Sequence, residues 1–109
     1  MISLHVYLTP KEGNKKALES AIRDKWIAAM AEQPGFASAA MVTPFPDEEF
    51  TKLEAFKPQT YEVVSFWRSE SERKAWVARP VHDQVWSQVE SAADSITYAL
   101  QTVVHSWNL

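Results

Sequence analysis

The feature that most constrains the fold is a change of hydrophobic period early in the chain. In residues 2–8, ISLHVYL, apolar side chains occupy every second position, which is typical of a β-strand. The apolar period then becomes four, which indicates a helix that covers a sheet with one stripe of side chains: Leu18, Ile22, Trp26 and Met30. Thr9 and Pro10 predict the start of this helix, because Thr is a good N-cap and Pro suits the first helical position.

Three more strands are predicted further along the chain. They cover residues 36–43, 61–67 and 96–107, where small, β-branched and aromatic residues predominate. The connection over residues 44–60 is rich in proline and acidic residues, and a short helical turn is predicted around 48–55.

A second helical region lies between the last two of these strands. Ser69, with Glu72 three residues later, predicts a capped helix start. Pro80 interrupts this helix, and a further helical stretch follows over residues 81–93. The order β-α-β-β-α-β predicts an α+β fold of the ferredoxin-like type, a four-stranded antiparallel sheet with the helices on one face.

Composition excludes several classes of function. With 14 acidic and 11 basic residues among 109, the chain has no basic stripe for nucleic acid or an anionic membrane, so neither partner is expected. The absence of cysteine excludes disulfides, thiolate catalysis and sulfur-based zinc sites. No secretory signal and no apolar run of membrane-spanning length is visible, so we expect a cytoplasmic location. By its length, the chain is expected to form a single domain over residues 1–109. The sequence contains no Gly-rich phosphate-binding loop.

The face of the sheet opposite the helices carries few charges and needs a cover. On the first strand this second face consists of Ser3, His5 and Tyr7. The simplest cover is the same face of a second copy, which predicts a homodimer with a cavity lined by the polar residues of that face. His5 and His105 lie on strands that neighbour each other in this fold, but two histidines without a carboxylate make a poor metal site, so no metal is expected.

The segment SFWRSESERKAWVARPVH, residues 65–82, contains the strongest candidates for a site. Trp67 and Trp76 are interpreted either as core residues or as the wall of a pocket, and the alternation of the third strand leaves open which face Trp67 occupies. His82 is interpreted as a base near neutral pH, as a haem ligand, or as a residue with a purely structural hydrogen bond.

The same segment resembles the antibiotic biosynthesis monooxygenase family of dimeric α+β barrels. The resemblance rests on Ser65-Phe66-Trp67-Arg68-Ser69, on Trp76 and His82, on Pro34-Gly35-Phe36, and on the element order of nearly the whole chain. Members of this family include cofactor-independent oxygenases of polycyclic phenols and anthrones, haem-binding or haem-degrading monooxygenases, and proteins without established activity. The asparagine that haem-degrading members carry on their first strand is missing at His5-Val6-Tyr7, which weakens that alternative.

The resemblance implies a homodimeric monooxygenase that oxidises a hydrophobic aromatic molecule with O₂ and needs no cofactor. In this interpretation His82 and His5 are the candidate catalytic residues. The candidate substrate-binding residues are Tyr7, Trp67, Trp76 and Trp86. Two alternatives stay open: haem bound through His82, and a dimeric binding or structural protein without catalysis.

Overall fold

Strands and helices follow one another in the order that the hydrophobic periods predict. A computed structural model describes residues 1–51 and 60–107, apart from the side chains of residues 50 and 51. The strands are β1 (Ile2–Pro10), β2 (Phe36–Val42), β3 (Tyr61–Trp67) and β4 (Ala93–Thr102). The helices are α1, which comprises the consecutive segments Lys15–Ser20, Ala21–Ile27 and Ala28–Met30, then α2 (Glu48–Thr51), α3 (Glu70–Val77) and α4 (Pro80–Ala92). Of the turn predicted around 48–55, α2 is described, and residues 52–59 lie outside the described part of the chain.

The four strands form one antiparallel sheet in the order β2-β3-β1-β4. Val6 in the central strand β1 lies opposite Val63 of β3 and Tyr98 of β4. This strand order with its helical crossovers is the ferredoxin-like α+β fold, so the predicted fold class is confirmed.

The hydrophobic core lies between one face of the sheet and the helices. The predicted stripe of α1 is confirmed, because all four of its side chains are buried against the sheet: Leu18, Ile22, Trp26 and Met30. Alternate residues of β3 are buried from the same side, which places Val63, Ser65 and Trp67 on the helix-covered face. That observation decides the orientation of Trp67, which alternation alone left open.

The start of α1 differs from the prediction. Pro10 is the last residue of β1, opposite Ala93, and α1 begins only at Lys15 after Asn14. Proline can end a strand at an irregular position because it has no N–H to contribute to the ladder, and the register shifts between Thr9 and Pro10. The pairing of β1 with β4 therefore extends the strand through the residues whose local pattern predicted an N-cap.

The second helical region agrees with the prediction at its cap and at its break. The Ser69 hydroxyl accepts a hydrogen bond from the backbone N–H of Glu72 at 3.3 Å, so α3 is capped as predicted. Pro80 separates α3 from α4 and is the first residue of α4, where its missing N–H costs no helical hydrogen bond.

The bounds of β4 were predicted wrongly, as residues 96–107. The strand begins at Ala93 and ends at Thr102, which pairs with Ile2 at the very start of β1. Because β1 provides no partner beyond this point, His105 lies past the strand, and Ala99 is the residue opposite His5. The ring of His105 instead packs on Trp107, with ring centroids 4.6 Å apart.

Candidate functional site

A cavity of about 290 Å³ lies between the sheet and the helices. Its walls combine apolar and aromatic side chains with a few polar ones: Leu4, Val6, Trp26, Met30, Trp67, Arg73, Trp76, Val77, His82, Trp86 and Tyr98. The polar residues of β1 predicted a cavity on the opposite, uncovered face of the sheet. The observed cavity lies instead on the helix-covered face, where Leu4 and Val6 of β1 line it.

Three aromatic contacts shape one side of the cavity around His82. The imidazole ring meets the ring of Trp76 edge-on, with centroids 5.0 Å apart, and lies nearly parallel to the ring of Trp86 at 6.1 Å. Trp86 in turn packs on Trp26, with centroids 5.0 Å apart. The cavity therefore offers several flat apolar surfaces, which suit an aromatic ligand.

His82 lies in the first turn of α4, and its side chain is 12% exposed. Its Nδ1 is 3.5 Å from the carboxylate of Asp83, at the limit of a hydrogen bond. Among the described residues Nε2 has no hydrogen-bond partner, so a lone pair or proton on this atom is available to a bound molecule.

Trp67 is held at the end of β3 by a buried hydrogen bond. Its indole Nε1–H donates to the hydroxyl of Ser65 at 3.1 Å, and its ring meets Phe36 edge-on at a centroid distance of 5.7 Å. Because the polar atom is satisfied by its own strand, the ring is positioned rigidly in the cavity wall.

Trp26 belongs to a segment of α1 with π-helical geometry, Ala21–Ile27. Such segments widen a helical turn and are frequent at functional sites. The Nε1–H of Trp26 is buried, and it finds no acceptor among the residues that the structure describes. A buried donor without a partner is costly, so Trp26 carries an unsatisfied polar atom in the core beside the cavity.

A charged pair completes the wall on the side of α3. The guanidinium of Arg73 donates from Nε and Nη2 to the carboxylate of Glu70, at 2.8 and 2.7 Å. These hydrogen bonds lower the pKa of Glu70 and raise the pKa of Arg73. Both groups therefore stay ionised at neutral pH.

The remaining candidates of the sequence analysis lie on the other face of the sheet. His5 donates or accepts through both ring nitrogens: Nε2 is 3.0 Å from the hydroxyl of Ser3 and Nδ1 is 2.9 Å from the carboxylate of Glu62. Tyr7 shares this face by strand alternation. The structure thus brings Trp67, Trp76, His82 and Trp86 together at the cavity, and it separates His5 and Tyr7 from them.

Sequence reasoning missed seven of the eleven residues that line the cavity, and three of these have aromatic or charged side chains: Trp26, Arg73 and Tyr98. Trp26 was assigned to the core stripe, and Arg73 and Tyr98 were not among the candidate site residues. A partial signal existed for Arg73, since Glu70 precedes it by three residues and such pairs lie side by side on a helix. Tyr98 could be placed in the cavity only by knowing which residues of β4 pair with β1, and local sequence patterns do not contain this register.

Metal and haem were tested against the described residues. Within residues 1–51 and 60–107, no group of three or more His, Asp or Glu side chains could hold a metal ion. His82 would be the haem ligand, but the ring of Trp76 meets its imidazole edge-on and the ring of Trp86 lies nearly parallel to it, so indoles occupy the space beside the imidazole. The site as it stands does not fit this group.

No helix in the described part of the chain is long and apolar enough to cross a membrane.

Solved structures with this fold include proteins of several organisms. SnoaB, a cofactor-independent oxygenase from Streptomyces nogalater, was matched in a mutant form with 14% identity and a TM-score of 0.75, over 96% of this chain and 94% of that chain. A protein from Arabidopsis thaliana matches with 14% identity and a TM-score of 0.77, over 100% of both chains. A dimeric ferredoxin-like protein of unknown function from Thermobifida fusca matches with 13% identity and a TM-score of 0.71, over 94% of this chain and 90% of that chain.

The fold and the cavity define a small α+β protein of the ferredoxin-like type with an aromatic-lined cavity between sheet and helices. The sequence profile of the antibiotic biosynthesis monooxygenase family matches residues 1–86. The chain therefore belongs to the antibiotic biosynthesis monooxygenase family. No curated protein matches the sequence significantly.

Proposed function

We propose that the protein is a cofactor-independent monooxygenase that oxidises a hydrophobic aromatic molecule, such as a phenol, anthrone or quinol, inside this cavity. The observation that carries the proposal is the placement of one histidine, His82, between two tryptophans in the wall of a mainly apolar cavity. Membership of the family and the fold shared with a cofactor-independent oxygenase support the same activity class.

His82 is proposed as the base. Its Nε2 would accept a proton from the acidic C–H or O–H of the substrate, and the resulting carbanion would transfer an electron to O₂. Recombination of the two radicals forms a C–O bond and, after protonation, a hydroperoxide. For an anthrone, loss of water from the hydroperoxide gives the ketone. One O₂ is thus consumed, one oxygen atom enters the product and the other leaves as water.

The indole rings are proposed to orient the substrate and exclude water. Trp67 is fixed by its hydrogen bond to Ser65, and Trp76 and Trp86 flank the imidazole. A substrate ring held against these faces would present its acidic position to His82, and the exclusion of water would protect the carbanion from reprotonation by solvent.

A homodimer through the uncovered sheet face belongs to the same proposal. This face carries the half-buried side chains of β3, Glu62, Val64 and Phe66, and the network of His5. The dimeric neighbour from Thermobifida fusca supports such an assembly. Light scattering at micromolar concentration is expected to give twice the chain mass, and a monomer would contradict the assembly.

The activity is tested by oxygen uptake with a panel of anthrones and hydroquinones. Loss of a general base typically lowers the rate by about 10²- to 10⁴-fold, and this is the effect expected for His82→Ala. His105→Ala is the matched control, because His105 is exposed and does not line the cavity. No uptake across the panel by the wild-type protein would favour a non-catalytic, small-molecule-binding protein.

The haem alternative has its own measurement. Haemin is titrated into wild-type protein and into His82→Ala while the Soret band is recorded. Because indole rings flank the imidazole, we expect no shift of the band; a shift in the wild type that the variant loses would establish haem binding through His82.

A further inference from the structure

The cavity has one permanently charged donor in its wall. Arg73 is the only Lys or Arg among the residues that line the described cavity, and none of those residues is Asp or Glu. Its side chain is 18% exposed, so the guanidinium is largely withdrawn from water. A charge that is partly buried beside apolar surface acts on a ligand more strongly than one at a solvated surface, because screening is weaker there.

Glu70 orients this guanidinium without using all of its donors. Arginine has five N–H groups, and two of them, on Nε and Nη2, bond with Glu70, which leaves three. Among the described residues these three have no hydrogen-bond partner. Because Nε and Nη2 form one edge of the planar group, two of the three remaining donors, one on Nη1 and one on Nη2, lie along the edge made by these two atoms. That edge has two parallel N–H groups, a spacing that matches the two oxygens of a carboxylate.

Tyr98 lies on the same side of the cavity as Arg73. Its position opposite Val6 places it on the helix-covered face, where it lines the cavity while remaining 74% exposed. Its electrostatic interaction adds to that of Glu70 in raising the pKa of Arg73. The lining of the cavity therefore includes an oriented cation and a tyrosine, and its other residues are mainly apolar.

We propose that the substrate is an aromatic carboxylic acid whose carboxylate binds the Nη1–Nη2 edge of Arg73 while its rings lie against the tryptophans. This proposal rests on the proposed function, since it names the substrate class of the same cavity. The flat fork favours a carboxylate over a single phenol oxygen, because only the carboxylate satisfies both parallel donors at once.

The test is calorimetric titration with three naphthalenes that differ in one substituent: 2-naphthoate, 2-naphthol and 2-methylnaphthalene. Arg73→Gln is expected to weaken 2-naphthoate binding by about tenfold or more, the usual effect of losing a charge-assisted hydrogen bond in a partly buried site. It should leave the affinity for 2-methylnaphthalene unchanged. Arg68→Gln is the matched control, because Arg68 forms the same type of pair with Glu72 but is 74% exposed and does not line the cavity.

Three results would overturn the proposal. If Arg73→Gln weakens the acid and the hydrocarbon equally, Arg73 only shapes the cavity. If the wild-type protein binds 2-naphthol as tightly as 2-naphthoate, the site does not select a carboxylate. Should Arg73→Gln fail to fold, the wild-type protein alone decides, and equal affinity for 2-naphthoate and 2-methylnaphthalene contradicts the proposal.

The titrations measure binding without turnover, which separates this proposal from the proposed function. Selective binding of 2-naphthoate without oxygen uptake by any substrate would remove the monooxygenase activity and leave the carboxylate site. Oxygen uptake that depends on His82, combined with no selectivity for the acid, would remove the carboxylate site alone.

Discussion

The phenol of Tyr61 is expected to make the fold sensitive to alkaline pH. Tyr61 is buried at the start of β3, and its hydroxyl donates a 2.8 Å hydrogen bond to the carboxylate of Glu19 on α1. Burial, followed by this hydrogen bond and the negative charge of Glu19, raises the pKa of Tyr61 from 10.0 to about 12. The protonated phenol thus ties the sheet to the first helix.

The sign and size of the effect follow from the two pKa values. Because the pKa is higher in the folded state, the folded protein holds the proton more tightly, and the stabilisation is fully present below about pH 10. It is lost as the pH rises from 10 to about 12. A shift of about two units corresponds to roughly 3 kcal/mol of unfolding free energy, and about half of this is lost by pH 11.

The stabilisation by Tyr61 is measured by urea unfolding of the wild-type protein and Tyr61→Phe at pH 9, 10 and 11. It should fall by at most about 1.4 kcal/mol for each pH unit. At pH 9 the wild type should be more stable, by about 1 to 3 kcal/mol for a hydrogen bond to a charged group. The difference should shrink toward pH 11, while titrations common to both proteins cancel. Tyr98→Phe controls for removal of a hydroxyl from an exposed site. A difference between wild type and Tyr61→Phe that stays constant from pH 9 to 11 would refute the reasoning.

Two further predictions concern stability and are measured by urea unfolding. Gly35 has φ +87°, and an added Cβ would lie 2.6 Å from side-chain atoms of α3, so Gly35→Ala should cost roughly 1 to 3 kcal/mol. Gly13→Ala should cost less, because Gly13 has φ +79° but nothing within 4 Å of the added atom; an equal cost would show that the contact is irrelevant. Ser65→Ala should cost about 1 to 3 kcal/mol, because it leaves the buried indole N–H of Trp67 without its acceptor. The exposed Ser95→Ala should have little effect, and equal values for the two serine variants would contradict this account.

Much of the fold could be predicted because its signals are local. Alternation over residues 2–8 and 61–67 and the four-residue period of α1 are properties of short segments, and each element type has its own period. The cap at Ser69 and the break at Pro80 also act within a single turn of helix. The end of β4 could not be predicted in this way, because it depends on where β1 begins.

The site was only partly predictable. His82, Trp67 and Trp76 were identified from residues 65–82 and their resemblance to a family, and Trp86, just after this segment, was a further candidate. The structure brings all four to one cavity. His5 was selected by the same reasoning, but strand alternation points it to the opposite face, where it bonds with Glu62.

The sequence by itself determined the element order, the buried face of α1 and the candidate aromatic residues, since these follow from periodicity and residue type. Only the tertiary structure decided which side of the sheet holds the cavity, and that Arg73 and Tyr98 both line it. The physical reason is that Arg73 and Tyr98 stand on different elements. Their proximity arises from the pairing of β4 with β1 and from the packing of α3 on the sheet, long-range contacts that no short segment encodes.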